Sequence, residues 1–155
     1  MNNRDNLLRQ LDAFCTFMNC TPNDFIVLTG AALCLDNITD EYRDIDLEVS
    51  PEVYKKFSEL SKTVKDVAFA LFDVCCSDWS LYKSKQKINV YGYNIQDPDS
   101  MINLKLKTID KCFEKFCKTD IDVDKLLLAN ILSSKFEKLK YAYEYKNKHY
   151  NSNEV

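Results

Sequence analysis

From Phe25 to Pro51 the chain changes character in a fixed order, and that order restricts the folds open to it. The run Phe25-Ile26-Val27-Leu28 is apolar and rich in β formers, which predicts a short strand. Thr29-Gly30 predicts a tight turn, and Ala31-Ala32-Leu33 the start of a short helix that ends near Leu35. A polar loop follows from Asp36 to Tyr42. Arg43 to Val49 then alternates charged and apolar residues, the period of a strand. The alternation sets Asp44, Asp46 and Glu48 on one face and Ile45, Leu47 and Val49 on the other. Neighbouring carboxylates repel, a divalent cation offsets the repulsion, and Mg²⁺ takes oxygen ligands of this kind. Asp44 and Asp46 are therefore a candidate metal platform. The competing reading is a solvent-facing strand edge, where alternating charge is common.

The chain has only two glycines, Gly30 and Gly92, and one of them lies in this turn. The physical reason is a backbone position at positive φ, or a close approach of the backbone to a phosphate. A strand-to-helix turn without a ligand is the plainer alternative.

The flanking elements follow from period and punctuation. Leu7, Leu8, Leu11, Phe14, Cys15 and Met18 predict a helix over Asn2–Asn19, broken by Thr21-Pro22-Asn23-Asp24. Ser50-Pro51-Glu52 predicts a helix start, with the helix running to about Lys62. Asp66 to Cys76 predicts a strand bulged at Asp73, although Ala68-Phe69-Ala70-Leu71 also suits a helix. Ser77 to Tyr82 reads as a turn or short strand, Lys83 to Lys87 as a polar connection, and Ile88 to Ile95 as a strand region turning at Gly92. Asp97-Pro98-Asp99-Ser100 opens a helix of about 15 residues, and a last helix spans Val123 to Tyr145. The expected fold class is α+β, a mixed sheet of four to five strands with packed helices. One domain is expected over residues 1–150, with a frayed tail at 151–155.

Composition narrows the function classes. With 155 residues, 46% hydrophobic and 29% charged, the chain can bury a sizeable core and is not a disordered segment. A net charge of -3 and a pI near 5.2 argue against tight non-specific binding of nucleic acid by the whole surface. Seven cysteines occur without a Cys-x-x-Cys pair, and His149 is the single histidine, so zinc spacing is lacking. The N-terminus, Met1 to Asn6, is polar, and the cysteines sit mostly in apolar runs. Reduced cysteines in a cytoplasmic protein are expected. No apolar run approaches the roughly 18 residues that cross a membrane.

The Gly turn, short helix, loop and Arg43-Asp44-Ile45-Asp46-Leu47 strand resemble the signature of the nucleotidyltransferase superfamily, the DNA polymerase beta-like fold. The likeness is nearest to minimal nucleotidyltransferases and abortive-infection toxins, through Ala32-Leu33 and the Asp-Ile-Asp-Leu run. Leu28-Thr29-Gly30-Ala31 supplies one residue of the family's glycine pair. Tyr91-Gly92-Tyr93 to Lys105-Leu106-Lys107 is similar to the later strand and lysine-bearing helix. The resemblance implies a nucleotidyltransferase-like sheet and transfer of a nucleotidyl group from an NTP to an acceptor hydroxyl on RNA (a tRNA end), a protein or a small molecule. It implies Mg²⁺, or Mn²⁺ in its place, held by Asp44 and Asp46. Thr29, Gly30 and Ala31 would cradle phosphate, with Arg43 and Lys105 reaching it. A third carboxylate belongs on a later strand, where this chain has Asn89; Asp73 and Asp78 are the substitutes. An amide cannot act as a base, so a catalytically degenerate member that serves as a binding or regulatory partner is the alternative.

The end of the chain adds a second surface. Lys135, Lys138, Lys140, Lys146 and Lys148 outweigh Glu137 and Glu144, with Tyr141, Tyr143, Tyr145 and Tyr150 interleaved. Such a helix grips an RNA backbone and stacks on bases, or is an amphipathic terminal helix with solvated lysines. Without a second domain for the acceptor, a partner protein or a homodimer is expected to supply one.

Overall fold

Leu7, Leu11, Phe14 and Met18, spaced four, three and four apart, are buried along one side of α1 (Asn3–Met18). The computed structural model describes residues 3–63, 70–85 and 87–151. A 3₁₀ turn at Pro22–Asp24 follows, closed by a capping box: Thr21 Oγ1 accepts from Asn23 N, and Thr21 N donates to Asp24 Oδ2. Next come β1 (Phe25–Val27), α2 (Thr29–Leu35), β2 (Ile45–Val49) and α3 (Pro51–Thr63). Ser50 Oγ accepts from Val53 N at the start of α3, the capping role its sequence predicts. The remaining elements are β3 (Phe72–Cys75), α4 (Trp79–Ser84), β4 (Ile88–Val90), β5 (Tyr93–Ile95), α5 (Pro98–Lys118) and α6 (Asp122–Lys146), with a π turn at Asn147–Asn151.

The protein is α+β, with a five-stranded mixed sheet in the order β3-β2-β1-β5-β4. Strand β1 runs antiparallel to β2 and parallel to β5; β2 is parallel to β3, and β4 antiparallel to β5. The β4–β5 hairpin turns on Tyr91 (φ 53°) and Gly92 (φ 88°), the two left-handed positions that suit the strands' twist. The register sorts the side chains. Phe25, Val27, Ile45, Leu47, Val49, Phe72, Val74, Tyr93 and Ile95 share one face. Phe14 of α1 covers it, its ring 5.4 Å from Phe25, 4.9 Å from Phe72 and 6.2 Å from Phe57 of α3. The Tyr93 hydroxyl donates to Asp12 on α1. Asp46, Glu48, Asp73, Cys75, Asn89 and Asn94 share the opposite face.

Several expectations are corrected. Strand β2 begins at Ile45, whose N–H donates to Leu71 O; Arg43 and Asp44 form a bend outside the ladder. Strand β3 begins at Phe72, Ala70 is helical, and residues 64–69 of the expected strand lie outside the described residues. Asp73 is not bulged, because the pairs Asp46↔Asp73 and Leu47↔Val74 run in unbroken register. Ser77–Tyr82 is neither turn nor strand: α4 begins at Trp79 and takes in Lys83. The helix expected to span about 15 residues is the 21-residue α5. Of the tail expected to fray, 152–155 lie outside the described residues.

The chain divides into two compact units, Met1–Asp97 and Pro98–Val155. The reason is local. Helices α5 and α6 are adjacent in sequence and pack on each other through Ile109, Cys112, Phe116, Leu128, Leu132 and Leu139. Among the described residues no helix is long and apolar enough to cross a membrane. Phe14 links α1, α3, β1 and β3, so Phe14→Ala should lower stability by roughly 3–5 kcal/mol in urea denaturation. A loss below about 1 kcal/mol would show that the sheet does not depend on this ring.

Candidate functional site

Leu28 follows β1 as the N-cap of α2, and Thr29 begins α2 in the left-handed region, at φ 48°. A β-branched residue there is strained, at a cost of order 1–3 kcal/mol, and persists only where its surroundings hold it. Two hydrogen bonds hold Thr29. Its N–H donates to Gln96 Oε1 at 3.0 Å, and its hydroxyl donates to Asp46 Oδ2 at 2.8 Å. Gln96 is fully buried at the end of β5; its own N–H donates to Val27 O, and its Nε2 donates to the Tyr82 hydroxyl at 2.9 Å. A continuous chain of hydrogen bonds thus runs from Tyr82 on α4 through Gln96 and Thr29 to Asp46 on β2. Burial raises the Tyr82 hydroxyl above its ordinary pKa, so it remains a phenol.

The expectation of positive φ at Gly30 is corrected: the left-handed residue is Thr29, and Gly30 is not among the positive-φ positions. A Cβ built on Gly30 meets nothing within 4 Å among the described residues, so no packing among them requires glycine there. Ala31 is fully buried, backbone included, so it presents no surface to a phosphate in this conformation.

The carboxylates on the polar face differ in depth. Asp46 is half-buried, and its register partner across the parallel β2–β3 ladder is Asp73, which is exposed. Asp44 is exposed in the bend before β2, and so is Arg43. Glu48 is 1% exposed. Its Oε2 accepts from Asp78 N at 3.1 Å, and the Cys75 thiol lies 3.4 Å from Oε1. Burial pushes the Glu48 carboxyl above its ordinary value. Burial, then the charge of Glu48, pushes the Cys75 thiol up to about 12, so it remains a protonated donor. Glu48 thereby holds the backbone ahead of α4, a long-range contact with no local signature, which is why the helix was missed.

Asn89 is on β4, with β1 and β5 between it and β2, and its side chain donates to Asn94 Oδ1 at 3.2 Å. The fold brings Asp73, not Asn89, beside Asp46. Asp78 is exposed at the start of α4, and Lys105 lies on α5 in the second unit. Among the tyrosines of the last helix, Tyr145 is fully buried and packs edge-on with His149, while Tyr143 and Tyr150 are exposed. All seven cysteines are free; Cys34 and Cys112 are buried, and Cys117 is exposed. Gln96 and Tyr82 were not singled out from sequence; the signal for Gln96 was a polar residue closing an apolar strand just before Asp97-Pro98. Among the described residues no group of three or more His, Cys, Asp or Glu is placed to hold a metal ion.

No family model, no curated protein and no solved structure matches the chain.

The raised carboxyl of Glu48 has a definite sign. The folded state binds this proton more tightly than the unfolded state, so its contribution is fully present below the ordinary glutamate pKa and is lost as pH rises through the folded value. Glu48→Gln, which mimics the protonated form, should therefore gain stability relative to the parent as pH rises from 4 to 7. Urea midpoints across that range measure it, and a pH-independent difference would remove the assigned burial effect.

Proposed function

We propose that the unit Met1–Asp97 is a nucleotidyltransferase-like domain that binds an NTP with Mg²⁺ and transfers a nucleotidyl group to an acceptor hydroxyl. One observation carries this reading: a strained turn residue, Thr29, is hydrogen-bonded to the second aspartate of an Asp-x-Asp motif, with a further aspartate in register beside it. Strain of this kind gathers where a backbone is shaped for a ligand. The donor set suits Mg²⁺, which takes one or two carboxylates together with substrate phosphates and water rather than an all-protein cage. Asp44 and Asp46 are the residues that would hold it, with substrate phosphates and water as the remaining ligands; Mn²⁺ takes the same ligands. When bound, the cation offsets phosphate charge.

The chain's own residues divide the remaining work. Thr29 orients the Asp46 carboxylate through its hydroxyl. Gln96 holds the turn through Thr29 N, and open space beside Gly30 leaves its backbone accessible to a phosphate. Asp73, exposed beside Asp46, takes the proton from the acceptor hydroxyl. The acceptor oxygen bonds to the α-phosphorus, and the bond to the β-phosphate oxygen breaks, releasing pyrophosphate. Arg43 and Lys105 are the side chains offered to phosphate by the resemblance alone. RNA, a protein or a small molecule would supply the hydroxyl, in the setting of a cytoplasmic toxin–antitoxin system.

A second reading is a binding protein of the same fold that retains nucleotide but not transfer. It is favoured by the absence, among the described residues, of a group of three or more potential ligands. Incubation with α-labelled NTPs, Mg²⁺ and total RNA or protein separates the two. Label should be transferred by the parent and reduced at least about 100-fold by Asp46→Asn and by Asp73→Asn, while Asn89→Ala retains parental transfer. Mg²⁺-dependent NTP binding without transfer would favour the second reading, and no binding at all would remove both.

Gly30→Ala gives an independent check. A methyl group there meets nothing among the described residues and replaces a helical glycine, so stability should stay level or rise by about 0.5–1 kcal/mol. NTP affinity should fall at least tenfold in calorimetry. Unchanged affinity would show that the backbone at Gly30 is not approached by phosphate.

A further inference from the structure

Helix α1 ends in a backbone arrangement that brings two cysteines together. Asn19 is left-handed, at φ 51°, the conformation that closes a helix C-terminus. Cys20 N donates to Cys15 O at 3.0 Å, and Asn19 N donates to Thr16 O at 3.3 Å. These are the two bonds of a Schellman cap, whose longer bond commonly brings the side chains at its ends into contact. Here those side chains are Cys15 and Cys20. Lys56 of α3 holds the same turn, its Nζ donating to Met18 O at 2.6 Å.

The thiols themselves are hydrogen-bonded to each other, and Cys15 is also hydrogen-bonded to Tyr93, whose hydroxyl donates to Asp12. Both cysteines are free and half-buried. A disulfide of about 2.05 Å forms without backbone movement only where the two sulfurs already face each other, which the cap provides. Burial pushes the Cys15 thiol up and the Cys20 thiol up to about 12, so exchange is slow at neutral pH and quickens as pH rises.

We propose that Cys15 and Cys20 are a disulfide-forming pair, closed across the C-terminal cap of α1 by exchange with a low-molecular-weight disulfide such as oxidised glutathione. Cys15 attacks first, because the Cys20 thiol can donate to its thiolate. The Cys15 sulfur bonds to one glutathione sulfur and the other glutathione leaves as a thiolate. Cys20, deprotonated in turn, attacks the Cys15 sulfur and releases the second glutathione. Two protein thiols are oxidised to one disulfide, and oxidised glutathione is reduced to two thiols. The bond ties the end of α1 to the turn that leads into β1, and is independent of nucleotide binding.

The test equilibrates the full chain with reduced and oxidised glutathione at a series of ratios, approached from both the reduced and the oxidised chain. Free thiols are blocked with iodoacetamide, and those released by reduction are labelled with a maleimide and located by mass spectrometry. Cys15 and Cys20 should take the second label together, and Cys20→Ser should instead carry glutathione on Cys15. The effective concentration of the pair should be at least about tenfold higher in the folded chain than in urea, and by linkage the disulfide should lower the unfolding constant by the same factor. Equal effective concentrations in the folded and unfolded chain would show that the cap does not align the thiols and would overturn the proposal. So would glutathione resting on both cysteines of the parent at once, or on neither with both left as thiols.

Discussion

The backbone pairing of β1 is the constraint on which the rest of the first unit depends. Three buried residues, Phe25–Val27, are paired along both edges, antiparallel to β2 and parallel to β5. Two bonds beyond the strand extend this ladder: Leu28 N donates to Asp46 O at 2.9 Å, and Gln96 N to Val27 O at 2.8 Å. Each such bond contributes only about 0.5–1.5 kcal/mol net. Together they set the register that brings Thr29, Asp46 and Gln96 to one end of the sheet. A slip of one residue would turn Asp46 towards the core and Leu47 away from it, so burial of Ile45, Leu47 and Val49 enforces the same alignment.

Depth gives three carboxylates on one sheet face different tasks. Glu48 is buried, its carboxyl raised, and its oxygens are engaged by Asp78 N and the Cys75 thiol, so it holds structure together. Asp46 is half-buried and oriented by a hydroxyl. Asp73 is exposed on the neighbouring strand. A carboxylate that is oriented yet reachable is the kind that can meet a cation or a proton, which sets Asp46 and Asp73 apart from Glu48. The strain at Thr29 belongs to the same arrangement, because its two bonds end on Gln96 and Asp46.

The second unit rests on different physics. Its contacts are between helices adjacent in sequence, so α5 and α6 need no long-range register to find each other. The hairpin buries Ile109, Cys112 and Leu132, yet leaves Val123, Leu127 and Ile131 exposed. The ion pair between Lys146 and Asp99, at 3.0 Å with both side chains largely exposed, adds little to that balance.

Sequence alone determined the elements whose pattern is local. The α1 stripe, the Ser50-Pro51 helix start, the alternation of β2 and the turn at Gly92 are written in period and punctuation, and with them the α+β class and the candidate pair Asp44 and Asp46. Only the tertiary structure decided what depends on residues far apart in the chain. It chose Asp73 over Asn89 as the neighbour of Asp46, because strand order is not a property of any one strand. It gave the left-handed position to Thr29 rather than Gly30, because Asp46 and Gln96, 17 and 67 residues away, hold a threonine where local preference would put a glycine. It made α4 a helix because the buried Glu48 holds Asp78 N. Local propensity spans about 1 kcal/mol per residue, and a pair of long-range hydrogen bonds in a buried setting is enough to override it.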